Sequence, residues 1–110
     1  MTEASRGRIH REFETDNVEW ISEDTTLRPG SRCYIIDTSS AAVVVTLPDI
    51  AESVGNIISF KAPSGSSNDA SVFINETGAE HASGDMDADD DYVVLFNNGL
   101  EWISLADDTT

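Results

Sequence analysis

The chain has 110 residues, 39% of them apolar, and its 21 acidic residues against 6 basic ones give a formal net charge of −15. That length supports one domain with one modest core, and the composition is that of a chain that folds. Phosphate binding depends on clustered Lys and Arg, so the charge argues against nucleic acid and anionic membrane as partners.

Residues 1–14, MTEASRGRIHREFE, mix charges with few apolar groups and show no strand alternation. They read as an extended arm, with Ile9 or Phe13 as the place for any short ordered piece. The arm lacks the apolar centre of a signal peptide. The longest purely apolar run, Ala41 to Val45, is too short to span a bilayer, so neither a signal peptide nor a transmembrane helix is expected. Residues 1–32 hold Arg6, Arg8, Arg11, Arg28 and Arg32, five of the six basic residues, against seven acids; residues 33–110 carry the remaining −13. The division is an arm at 1–15, a β-domain at 16–106 and a tail at 107–110.

From the start of the domain, NVEWIS reads as a short strand, LRPGSR as a Pro-Gly turn and CYIIDTS as a second strand. In AAVVVTLP, three consecutive valines favour a strand through their restricted χ1, and Pro48 ends it because proline cannot donate to the ladder. The segment PDIAESVG fits one helical turn, two at most. NIISFKA and ASVFIN follow as strands on either side of the polar loop PSGSSND, and ETGAEHASGDMDADDD reads as a long acidic loop. Short strands at this spacing, with little helical periodicity, predict an all-β fold: a small antiparallel sandwich or barrel with an extended N-terminal arm and at most one short helix.

The stretch DYVVLFNNGLEWISL closes the domain as a hairpin. Asn98 and Gly99 can take the positive φ angles of a type I′ turn, which sets Leu95 opposite Trp102, Val93 opposite Ser104, Val94 opposite Ile103 and Tyr92 opposite Leu105. Both faces are then apolar, whereas a sheet with one wet face alternates apolar and polar residues. Two covers satisfy the second face: another layer of the same chain, or a partner subunit.

Residues able to do chemistry are few. Asp85, Asp87 and Asp89 alternate as in an EF-hand loop, but Asp90 and Phe96 stand where that motif needs Gly and Glu. A weak cation site at these three aspartates is the alternative to a solvated loop; no metal or other cofactor is expected. His10 and His81 have no second ligand at a metal-like spacing. Cys33 is alone, which excludes an internal disulfide framework and is compatible with a reducing cytosol. No nucleophile-elbow or phosphate-cradle pattern is present, and the chain reads as a non-enzyme. Trp20 and Trp102 offer either a sugar-stacking platform or packing in a core or interface, and packing is preferred. Arg6, Arg8 and Arg11 are chemically suited to gripping acidic groups of a protein partner through bidentate bonds.

The order VTLPD, GNIISFKA, SVFIN, a long polar loop and YVVLFNNGLEWISL resembles a β-module of tailed-bacteriophage virion proteins, over about residues 31–105. The family has no catalytic residues to carry over. Such modules occur in tail fibres and spikes, and similar small β-proteins serve as head decoration, or cement, proteins. Taken as a complete chain, one module plus an arm suits a decoration protein better than a fibre. The resemblance implies a homo-oligomer, expected as a trimer, on the exterior of a virion made in the host cytoplasm, with the major capsid protein as partner. The arm residues Arg6, Arg8, Arg11 and Phe13 are then the expected capsid contacts, and Leu95, Leu100 and Trp102 the expected subunit interface. A tail, neck or baseplate component and a small carbohydrate-binding attachment module are the alternatives.

Overall fold

The computed structural model describes residues 18–63, 65 and 68–108. The expected arm at 1–15, with Arg6, Arg8, Arg11 and Phe13, lies outside them, as does His10. Among the described residues the strands are, in chain order, β1 (Val18–Ile21), β2 (Thr25–Thr26), β3 (Arg32–Ile36), β4 (Val43–Thr46), β5 (Ile57–Lys61), β6 (Ala70–Phe73), β7 (Glu80–Met86), β8 (Tyr92–Asn97) and β9 (Trp102–Asp108). The expected helical turn is a 3-10 turn at Ile50–Glu52. Asp49 starts it, its carboxylate accepting from the Ala51 N–H at 3.0 Å. No helix among the described residues is long and apolar enough to cross a membrane.

The strands form two sheets, a five-stranded one in the order β1-β3-β5-β8-β9 and a four-stranded one in the order β2-β4-β6-β7. The pairing is mixed, which corrects the antiparallel expectation. β1 with β3, β3 with β5, β2 with β4 and β4 with β6 run parallel, and only β5 with β8, β8 with β9 and β6 with β7 run antiparallel. The reason lies in the chain path: from β1 to β6, consecutive strands alternate between the sheets. A parallel neighbour needs a crossover, ordinarily a helix. Here the intervening strand in the opposite sheet is the crossover.

Alternation along each strand then fills the space between the sheets. Val43 and Val45 of β4, Ala70 and Val72 of β6, Ile58 and Phe60 of β5, and Val93 and Leu95 of β8 are all buried and join one cluster, closed by Leu27, Leu47 and Ala62 from connecting segments. Tyr34 stacks on Phe60 with ring centroids 5.7 Å apart, and burial pushes its hydroxyl pKa up. Burying each of the valine, leucine, isoleucine and phenylalanine side chains stabilises the fold by about 1.5–3 kcal/mol before the entropy of ordering is subtracted.

β7 runs through a stretch that reads as loop. Its exposed residues are polar or small, and its buried positions, His81, Gly84 and Met86, lack the β-branched signature. A Cβ on Gly84 would meet the Val72 carbonyl oxygen at 2.7 Å and the Val72 Cβ at 2.9 Å, so glycine is what lets β7 approach β6. β9 continues through Asp107 and Asp108, beyond the expected domain end at 106.

The closing hairpin is present with a different register. Asn97 pairs with Trp102, Phe96 with Ile103 and Leu95 with Ser104; after a bulge, Val94 pairs with Ala106 and Tyr92 with Asp108. The loop is therefore 98–101 rather than Asn98-Gly99 alone. Asn98 is not at positive φ, whereas Gly99 is at +95°. The Asn98 carboxamide oxygen accepts from the Leu100 and Glu101 N–H groups at 2.9 Å each, which holds the wider turn.

Candidate functional site

One surface stands apart from the rest of this acidic chain. Ile21, Tyr34, Ile36, Ile58, Phe60, Val93 and Leu95 turn inward, so their strand neighbours turn outward. Register places Val18, Cys33, Ser59, Val94 and Ala106 in one outward row across all five strands. Trp20, Ile35, Lys61, Tyr92 and Asp108 form the next row, and Ile57, Phe96 and Ile103 a third. Trp20 is 61% exposed and Ile57 45%. Leu105, at the β9 bulge, is exposed as well.

These rows contain two charged residues, Lys61 and Asp108. The Lys61 ammonium is 3.7 Å from an Asp90 carboxylate oxygen, donates to the Asp90 carbonyl at 3.3 Å and lies 6.0 Å from the Tyr92 ring centre. Its charge is therefore met within its own chain. The outward side of the four-stranded sheet differs: Thr26, Thr46, Phe73 and Glu80 form one row, and Val44, Ser71 and Asp85 another. That side alternates in the manner of a wetted sheet.

At the edge shared by β7 and β9, an open groove of about 590 Å³ is lined by Ile50, Ile74, His81, Leu100, Trp102 and Ile103, with Glu76 and Glu101 also in its walls. His81 ties the two sheets together across it. Its Nδ1 accepts from the Ser83 N–H at 3.0 Å, which leaves Nε2 to carry the hydrogen and donate to the Trp102 carbonyl oxygen at 2.6 Å. Both nitrogens of His81 are thus engaged in structure.

The residues singled out in the sequence are dispersed. Leu95 and Trp102, expected at a subunit interface, are instead 0% and 4% exposed inside the chain's own core. Of that set only Leu100, 85% exposed at the hairpin tip, is open to solvent. Trp20 points outward and Trp102 inward on the same sheet, so the two indoles form no platform. Asp85 lies on the outward side of β7, with Asp87 and Asp89 exposed after the strand end. Among the described residues, no group of three or more His, Cys, Asp or Glu side chains is gathered to hold an ion. Desolvation, then repulsion from Asp87, Asp69 and Asp91, holds the Asp85 carboxyl above its ordinary pKa.

The outward face was partly visible in the doubly apolar hairpin, which contributes Tyr92, Val94 and Phe96. Ile35 and Ile57 are not singled out by the sequence, and Trp20 is singled out without being set beside the hairpin, because the three come from separate strands that only the parallel pairing brings next to it. The available signal was that CYII and NIISF are apolar at both parities. Comparison with family models, curated proteins and solved structures finds no match for the chain.

Proposed function

We propose that the chain is a structural protein of a virus particle, a decoration protein that assembles through the outward side of its five-stranded sheet and binds the outside of a tailed-phage head. The observation that supports the reading is that side itself: rows of apolar residues across five strands on a chain of net charge −15. A monomer seldom leaves so broad an apolar surface to water, and such a surface marks a protein contact. The kind of particle is taken from the resemblance of VTLPD, GNIISFKA and YVVLFNNGLEWISL to phage virion modules.

In this role the protein works by binding alone. Apolar contact supplies the attraction, while the acids of the opposite sheet stay in water. Docking as an oligomer multiplies weak single contacts by avidity on the order of 10²–10⁴. Clamped neighbours in the capsid then separate less readily under internal pressure.

The test is co-sedimentation of purified protein with capsids that lack it. Wild-type protein is expected in the pellet, and Phe96→Lys, which sets a charge on the outward face, in the supernatant. Wild-type protein that stays in the supernatant contradicts the reading. Binding to tails in place of heads would make the same face that of a tail component.

A further inference from the structure

We infer that the outward face of the five-stranded sheet is buried against the same face of another copy of this chain. The inference rests on reading that face as a protein contact, and it names the partner.

The first argument is relief. The row of Cys33, Ser59, Val94 and Ala106 carries shorter side chains than the rows beside it, which hold Trp20, Ile35, Lys61 and Tyr92 on one side and Ile57, Phe96 and Ile103 on the other. Rows on one sheet face are about 7 Å apart, two residues along the strand. A furrow therefore lies between two ridges at that pitch. A ridge of one copy fits the furrow of another, and a two-fold relation makes the fit reciprocal.

Size is the second. Five strands about 4.8 Å apart make a patch roughly 24 Å wide, and about five residues of strand make it some 17 Å long, or about 400 Å² in projection per copy. With side-chain relief, two such patches bury about 1,000 Å² in total, where specific interfaces begin.

Charge placement allows a copy as the partner. Asp85, Glu80 and Glu76 belong to the four-stranded sheet and its connections, on the far side of the core. Sheets in one copy are about 10 Å apart, more than the Debye length of about 8 Å at physiological salt, so back-to-back copies keep their acidic sides outermost and screened from each other. Of the two charges on the face, Lys61 is met by Asp90 of its own chain, and Asp108 stands at the end of the edge strand β9.

Sedimentation equilibrium of the whole chain tests this, with Ile57→Lys and Trp20→Lys as two independent variants. Both residues are exposed and outward, and far-UV circular dichroism checks that each variant folds. The wild type is expected to be heavier than a monomer, with both variants weakened about 100-fold, equivalent to about 2.7 kcal/mol. The Cys33 thiol, in the furrow, is expected to react more slowly with a maleimide in the associated form. A monomeric wild type whose capsid binding is lost in Ile57→Lys overturns the inference and leaves the docking reading standing. A monomer whose capsid binding survives both variants overturns both. Association that persists unchanged in both variants places the contact between copies elsewhere and also overturns the inference.

Discussion

Asn97 and Ser53 are joined inside the protein by a 2.9 Å hydrogen bond from the Asn97 carboxamide nitrogen to the serine hydroxyl oxygen. The same nitrogen donates to the Ile50 carbonyl at 2.9 Å, and the carboxamide oxygen accepts from the Gly99 N–H at 2.8 Å. Asn97, fully buried, thus fastens the end of β8 to the 3-10 turn and shapes the hairpin loop.

Asn97→Ala leaves those groups without their partner in a closed space. The expected loss of stability is about 2–4 kcal/mol, read from denaturant unfolding, with the loop 98–101 exchanging its amides faster. Unchanged stability would show that the loop is held without it.

Gly84→Ala drives a methyl group into the Val72 backbone, where the contact would be 2.7 Å. The backbone of β6 or β7 has to shift, at an expected cost of about 1–3 kcal/mol in thermal or denaturant unfolding. No loss would mean that the two strands are less close than described.

Trp102 separates packing from hydrogen bonding. Its indole N–H is buried and has no hydrogen-bond partner among the described residues. Trp102→Ala is expected to cost about 3–5 kcal/mol through the cavity, whereas Trp102→Phe keeps a ring, removes the unpartnered donor and costs about 1–2 kcal/mol. Equal losses in urea unfolding would contradict this division.

Two aspartates have opposite signs in pH dependence. Desolvation and neighbouring acids raise the Asp85 carboxyl above its ordinary 3.8, so the folded state holds that proton more tightly. The associated stability is present below 3.8 and is lost as pH rises through the folded value. Asp85→Asn is therefore expected to stabilise the protein at pH 7 and to have no effect well below 3.8. Asp37 is lowered by bonds from the Ser39 backbone and side chain, so its contribution is present above 3.8 and is lost as pH falls through the folded value. Asp37→Asn is expected to destabilise at pH 7. Urea titrations at the two pH values check both signs.

Strand positions were legible where apolar residues cluster, as in Val43–Thr46 and Ile57–Lys61. Pairing was not, because a short connection ordinarily signals a hairpin, and here it signals a step into the other sheet. β7 escaped notice because Gly84 packs by having no side chain and His81 by hydrogen bonding, neither of which resembles a strand pattern. The hairpin was found from Asn98-Gly99, but its register depended on Asn97 being drawn into the core, a contact with residues 44 and 47 positions away. The candidate face was half legible: the outward residues of β8 were visible, their neighbours on β1, β3 and β5 were not.

Acrylamide quenching of Trp20 fluorescence, measured in a Trp102→Phe background, tests the central claim most directly. Trp20 stands on the outward face and is 61% exposed in the single chain. The account predicts strong quenching of the dilute monomer and marked protection once the protein is assembled with its partner. A Trp20 that is quenched as strongly in the assembled protein as in the free chain would contradict it.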